Sequence, residues 1–399
     1  MHILIISDAY PPMRTSCATQ IYDLAQAFIG QDHKVSIIIP AHSQKNVVEI
    51  SNADGPTVYS VRCFKTKDVG YARRTIAEFI NPFVIGFHLK RNSNFIGQKI
   101  DGIAWYSPTV FWGPLVRQLK AIFNCKAYLI LRDIFPDWAL DLGILKKNLI
   151  YAFFKKVERY QYSQADCIGV QSPNNISYLQ KNNKELAVPI EVLWNWMGIT
   201  NSKKSSIVIC DGPLKGRNIF IYAGNLGIAQ GIDCLIDLVI QLKDNKDIGF
   251  IFVGRGSEKP RLQEAVKKFD IQNVLIYDEI PLEEILSLYE QCDFGLLTLD
   301  SRHQTHNIPG KFLSYMQAKL PVFSIINPGN DLENIIKERQ LGVSLAKPSR
   351  VNLKTQVLDL VLMKNKQEFS NNSFETIMTE LFNPINACQQ IIKYFGKHT

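Results

Sequence analysis

No Cys-x-x-Cys pair and no cluster of cysteine with histidine occurs in this chain of 399 residues; its eight cysteines, Cys17, Cys63, Cys125, Cys167, Cys210, Cys234, Cys292 and Cys388, are scattered. That spacing argues against a zinc site or a disulfide framework and suits reduced core thiols in a cytoplasmic protein. No stretch reaches the roughly 18 apolar residues that a spanning helix needs, so any membrane contact is peripheral. The opening run, MHILIISDAYPP, lacks a leading basic region and stops at prolines. It reads as a first strand and not as a signal peptide. The Gly-x-Gly-x-x-Gly dinucleotide fingerprint is missing as well, which disfavours a nicotinamide dehydrogenase.

What is present is a chain too long for one ordinary core, with 46% hydrophobic residues, so two domains are expected. The net charge of +8 is uneven: residues 1–200 hold 22 Lys and Arg against 15 Asp and Glu, and the remainder 23 against 22. Such an excess is compatible with anionic lipid or with plain solubility, and nothing beyond it supports a nucleic-acid partner.

Short β-type runs alternate with helical periodicity, the rhythm of a parallel sheet wrapped by helices. Expected strands in the first half are Ile3 to Ile6, Val35 to Ile39, Val58 to Arg62, Ile103 to Tyr106, Tyr128 to Leu131, Cys167 to Val170 and Glu191 to Leu193. From Met197 to Arg217 the chain turns polar, and the rhythm restarts with Ile219 to Ala223, Gly249 to Val253, Val274 to Ile276, Phe294 to Leu299 and Val322 to Ser324. The fold class is therefore α/β, with a first domain over 1–200, a second over 201–372 and an amphipathic helical tail over 373–399. Ligands of open parallel sheets sit at the carboxyl ends of strands, so a cleft between two such domains is the expected site.

The turns that follow strands carry the candidate chemistry. After Ala223 come Gly224, Asn225, Leu226 and Gly227, then Gln230 at a helix start. Glycines let the backbone approach a ligand, and helix-start amides favour phosphate oxygens; a tight turn is the plain alternative. Gly254, Arg255 and Gly256 follow another strand, and Arg255 either reaches a diphosphate or is solvated. In the run His303 to Pro321, Gly310 and Lys311 open a helix. A lysine there opposes the helix dipole unless an anion shares the position, which makes Lys311 the strongest phosphate ligand; a solvent-pointing lysine whose charge is screened is the alternative. In the first half, Arg14, Thr15 and Ser16 lead into a helix with Thr15 or Ser16 as N-cap, facing the expected cleft. Arg132 and Asp133 follow a strand among aromatics; Asp133 is the best general base, with an Arg132 to Asp133 structural pair as the alternative. The segment Val69 to Phe95 interleaves Arg73, Arg74, Lys90 and Arg91 with Phe79, Phe83 and Phe87. It suits either a membrane interface or an ordinary helix pair, with Pro82 and Gly86 expected to interrupt a single long helix.

With Tyr10-Pro11-Pro12, Gln31-Asp32-His33-Lys34-Val35 and Gly254-Arg255-Gly256 in order, the chain resembles family 4 retaining glycosyltransferases of the GT-B fold over nearly its whole length. The stretches YAGNLGIAQG and HNIPGKFLSYMQ look most like L-fucosamine transferases of O-antigen assembly. The resemblance implies two Rossmann-like domains, the first (1–200) taking the acceptor and the second (201–372) the nucleotide-sugar donor, which is a UDP-sugar with N-acetyl-L-fucosamine as the best sugar. It also implies an undecaprenyl-diphosphate-linked glycan acceptor at the inner face of the cytoplasmic membrane, no cofactor and no metal; no Asp-x-Asp motif occurs. Two departures stand out. The family's glutamate pair falls at His306 and Ser314, and its diphosphate-binding Arg and Lys fall at Asn225 and Gln230. The expectation is a rearranged donor site in which Lys311 neutralises the leaving diphosphate, His306 or Asn307 contacts the sugar, and Ser314 with Tyr315 lies near the ribose. Competing readings are a nucleotide-sugar epimerase, which needs placed carboxylates, and a non-catalytic nucleotide-sugar-binding protein.

Overall fold

The computed structural model describes residues 1–42, 44, 46–51, 55–67, 69–199, 202–209, 211–346 and 350–396. Two compact units result: Met1–Gly198 with Asn383–Thr399, and Ile199–Phe382. The boundary expected at 200/201 falls on residues outside the described set, as does Cys210. Among the described residues no helix is long and apolar enough to cross a membrane.

The first unit is built on β1 (His2–Ile6), β2 (Lys34–Ala41), β3 (Val48–Ser51), β4 (Thr57–Arg62), β5 (Gly102–Ser107), β6 (Lys126–Leu131), β7 (Cys167–Val170) and β8 (Ile190–Val192). They lie in the order β3-β4-β2-β1-β5-β6-β7-β8. β1, with its apolar run Ile3 to Ile6, is buried on both faces, as a strand of a helix-covered parallel sheet must be. Ile5 pairs with Ile37 on one side and with Ala104 on the other. Among the described strands only β3 runs antiparallel, beside β4. Its sequence VEIS is half exposed, so it shows no apolar run to read in advance.

The second unit holds β9 (Asn218–Ala223), β10 (Ile248–Val253), β11 (Val274–Tyr277), β12 (Phe294–Thr298), β13 (Val322–Ile325) and β14 (Gly342–Leu345), in the order β11-β10-β9-β12-β13-β14. Every pair is parallel. β14 also escapes a reading of the sequence, because it begins on a glycine. Gly342 has φ +144, and a Cβ there would lie 2.0 Å from the Val322 carbonyl oxygen, so the position that looks like a turn is a close approach of two strands.

In both sheets the strand order reverses direction once: between β1 and β5 in the first, and between β9 and β12 in the second. Connections leave in opposite directions at such a point and open a crevice at the strands' carboxyl ends.

Two expectations need correction. Pro82 and Gly86 do not break the helix Tyr71–Lys90, which runs 20 residues through both. Pro82 is buried, and Gly86 leaves room for Gln118, whose Nε2 donates to the Gly86 carbonyl at 2.9 Å. The tail over 373–399 is not one body: the helix Asn371–Glu380 belongs to the second unit, and Pro384–Gly396 returns to the first. There Cys388, Ile391 and Phe395 complete the core beside Ile21, Leu24 and Phe28. The Phe395 ring fills the space left by Gly102. Phe395→Ala should therefore destabilise the protein by about 3–5 kcal/mol, the usual cost of emptying a buried aromatic site, measured by urea unfolding.

Candidate donor and acceptor sites

At the reversal in the second sheet the turns after β9 and β10 lock together. Gly224 N donates to Val253 O and Leu226 N to Arg255 O, each at 2.8 Å. A Cβ on Gly254 would lie 2.0 Å from Gly224 O, and one on Gly256 2.2 Å from Leu226 O, with φ of +152 and +150. Only glycine fits at these two positions. The backbone makes the approach there, so the Arg255 side chain turns outward: it is 75% exposed and pairs with Glu279 at 3.0 Å. Arg255 is thus solvated and ion-paired, the plainer of the two alternatives that the sequence left open.

Lys311 is gathered with the β9 turn. It is the second residue of the helix Gly310–Gln317, which no side chain caps. Its Nζ lies 3.3 Å from Gln230 Oε1 and 4.7 Å from the centre of the Tyr222 ring, while its stem packs over Gly224. The Tyr222 hydroxyl donates to Asn225 O at 2.8 Å and lies 3.3 Å from Gln230 Oε1. Tyr222, which opens the stretch YAGNLGIAQG but carried no site role there, is therefore part of the site. Burial pulls the Lys311 ammonium down to about 8. No carboxylate offsets that burial, and an anion would.

The other expected donor residues lie around it. Asn225 and Gly224 are exposed, and Gly227 and Gln230 half-buried. Nothing stands within 4 Å of where a Gly310 side chain would begin, so the helix start is open. Ser314 bonds back to Gly310 O at 3.3 Å. Burial lowers the His306 pKa, with Asp331 opposing, and leaves the ring largely neutral at pH 7. Asn307 Oδ1 is buried without a hydrogen-bond partner. Tyr315 is the second correction: its hydroxyl lies 3.1 Å from Ile221 O and 2.9 Å from Leu296 O, fully buried. One residue past Ser314, it has rotated about 100° round the helix into the core, where it ties β9 to β12 and cannot face a ribose.

In the first unit Thr15, not Ser16, caps the helix Ser16–Ile29, accepting from Ala18 N; Arg14 and Ser16 are exposed. Arg132 is structural. Its guanidinium donates to Leu193 O at 2.9 Å and Trp194 O at 3.3 Å and lies 4.5 Å from the Trp196 ring. It is buried and unavailable to an acceptor. Asp133 is not its ion-pair partner in any bonded sense, yet burial raises the Asp133 carboxyl to about 6, with Arg132 pulling the other way. A second carboxylate went unread: Asp8, two residues past β1 as Asp133 is two past β6, is raised by burial and by Glu78 to about 7. Its signal in the sequence is its place just after the strand, ahead of Pro11 and Pro12.

Residues 211–375 match the family of glycosyl transferases group 1. The chain is 26% identical over 235 residues to WbjE of Pseudomonas aeruginosa, named a probable glycosyltransferase, across 56% of this chain and 57% of that protein. It thus spans little more than half the length of that relative. WcaI of Escherichia coli K12, named for colanic acid biosynthesis glycosyl transfer, is 22% identical over 310 residues, 70% of this chain and 74% of its own. The structure of HepE from Anabaena in complex with UDP superposes with a TM-score of 0.66 at 13% identity, covering 100% of both chains. With the structures of a sucrose-phosphate synthase from Thermosynechococcus elongatus (TM-score 0.76, 14% identity) and of the glycosyltransferase WaaG (TM-score 0.63, 13% identity), it establishes the GT-B fold.

Lys311→Met should raise the melting temperature of the ligand-free protein at pH 7 by about 2–4 °C, the shift expected for roughly 1 kcal/mol in a unit of this size. The sign follows from the lowered pKa: below pH 8 the folded state carries a charge it solvates poorly. The advantage should shrink as pH rises above 8 and the wild-type lysine sheds its proton. Differential scanning calorimetry at pH 7 and pH 9 checks both.

Proposed function

We propose that this chain is a glycosyltransferase that moves a sugar from a UDP-sugar to a lipid-linked glycan in the assembly of a bacterial surface polysaccharide. The observation that carries the reading is the desolvated Lys311 ammonium, set over Gln230 and Tyr222 beside an open helix start. A diphosphate brings the charge this ammonium lacks and accepts bonds from exposed backbone amides. The resemblance assigns the usual cation to position 230; here Gln230 holds a cation that arrives from position 311. On this reading the departure from the family pattern moves the charge and does not remove it.

Lys311 and the backbone amides stabilise the departing diphosphate, and transfer proceeds with retention of configuration and without a resident metal. Most of the barrier reduction then comes from positioning and electrostatics. N-acetyl-L-fucosamine is the best sugar, from the resemblance of YAGNLGIAQG and HNIPGKFLSYMQ. O-antigen or capsule is the proposed destination, in keeping with the colanic acid relative. A peripheral membrane contact fits the first unit. The helix Tyr71–Lys90 leaves Ile76, Phe79, Phe83 and Phe87 exposed, and Phe79 meets the exposed Phe153 of the helix Leu149–Tyr162 at 6.3 Å. Lys146 and Lys147, just ahead of that second helix, supply positive charge for anionic headgroups.

UDP should raise the melting temperature more than GDP or dTDP does, because a ligand of the folded state stabilises it by mass action. Lys311→Ala should weaken UDP binding by about tenfold or more, and EDTA should leave sugar transfer unchanged. A larger shift with GDP, or UDP affinity untouched by Lys311→Ala, counts against the donor assignment. Binding to vesicles rich in phosphatidylglycerol should fall in Phe79→Ser/Phe83→Ser, read by flotation.

A further inference from the structure

β12 and β13 are parallel neighbours in the second sheet, so the segments that leave their carboxyl ends run side by side. The one after β12, residues 299–309, leads into the helix that carries Lys311 and has no regular structure of its own. The one after β13 is a tight turn. Asn330 N donates to Asn327 O at 3.3 Å across Pro328 and Gly329, and Gly329 has φ +77, which makes residues 327–330 a type II turn.

Such a turn asks for Pro328 and Gly329 at its centre and leaves its two ends free to vary. Both ends are nevertheless buried amides, Asn327 at 0% and Asn330 at 2% exposure. A buried amide is costly unless its nitrogen and oxygen find partners, and here each does. Asn327 Nδ2 donates to Thr305 O at 3.0 Å, and Asn330 Nδ2 donates to Asn307 O at 3.2 Å and to Asn327 Oδ1 at 3.0 Å. Asn330 Oδ1 accepts from Leu332 N at 3.0 Å as N-cap of the helix Asp331–Glu338. Each side chain must both donate and accept, which asparagine does and aspartate or leucine does not. The cap accounts for one oxygen. The two amino groups grip the loop after β12.

The gripped carbonyls belong to Thr305 and Asn307, the residues on either side of His306. The same turn reaches the imidazole itself: His306 Cε1 lies 3.5 Å from where a Gly329 side chain would begin, and the Asp331 carboxylate acts on the ring through space. Lys311 is held by other means, through Gln230 and Tyr222 and through a helix that Tyr315 anchors to β9 and β12. The β9 turn and the β13 turn therefore hold separate parts of the site.

We propose that Asn327 and Asn330 are positioning residues of the donor site, which hold His306 against the donor's sugar while Lys311 meets its diphosphate. The inference rests on the proposed transferase reading and divides donor recognition between two turns. A residue that acts on the sugar alone changes the affinity for a UDP-sugar relative to UDP. One that only supports the fold changes both affinities together or neither.

The test is isothermal titration calorimetry of the full chain with UDP and with the UDP-sugars of N-acetyl-L-fucosamine, N-acetylglucosamine, N-acetylgalactosamine and glucose. The UDP-sugar that the wild type binds most tightly is the probe for the variants. Asn330→Ser keeps a capping oxygen for Leu332 N, but its shorter side chain does not reach Asn307 O. Asn327→Ala releases Thr305 O. Each should weaken the UDP-sugar by about tenfold and leave UDP within about twofold of the wild type, as His306→Ala should. Lys311→Ala should weaken UDP and the UDP-sugar alike. Should one of the two asparagine variants not fold, the other decides. The inference is overturned if a folded asparagine variant binds the UDP-sugar as the wild type does, if it weakens UDP equally, or if His306→Ala leaves the UDP-sugar affinity unchanged. Any of these results with wild-type UDP binding intact removes the positioning role alone, whereas a wild type that binds neither UDP nor any UDP-sugar removes the transferase reading as well.

Discussion

An ammonium taken out of water must be compensated, and among the described residues Lys311 is compensated only by a neutral amide and an aromatic ring. That is weak repayment for a desolvated charge. The rest of the second unit is arranged so that it stays in place. Gly224 gives the lysine stem room, the interlocked glycine turns fix the β9 loop, and Tyr222 and Gln230 hold one another and the lysine. The site is charged, preorganised and incomplete, as expected of a pocket completed by an anionic ligand.

The second constraint is topological. Each sheet reverses its strand order once, and each reversal gathers a polar constellation: Gln230 and Lys311 follow β9 and β12, and Asp8 and Trp112 follow β1 and β5. The two halves repeat one architectural device with different chemistry. The second gathers a desolvated cation with neutral partners, and the first gathers Asp8 and Glu78 with Lys67, Arg74 and the Trp112 indole.

The sheets were largely readable in advance because strands such as HILII and IGFIFV are buried on both faces and carry continuous apolar runs. β3 and β14 were not, since one is a half-exposed edge and the other opens on a glycine needed for close approach. Lys311 was readable from a local conflict, a cation at a helix start. Tyr315 and Arg132 carried ligand roles because their residue types suit ligands, yet one ties two strands and the other caps backbone carbonyls; helical phase already puts Tyr315 on the inward face. Tyr222 and Asp8 needed the neighbours that the sheet order brings to them, which no local window contains.

The central claim is that Lys311 awaits a diphosphate. The most direct measurement is the pKa of its ammonium, followed by NMR on ¹³Cε-labelled lysine with and without UDP. The account predicts a value near 8 in the free protein and a rise to the ordinary lysine range or above when UDP binds, with uptake of a proton near pH 8. An ordinary value in the free protein, or one that UDP leaves unmoved, would contradict it.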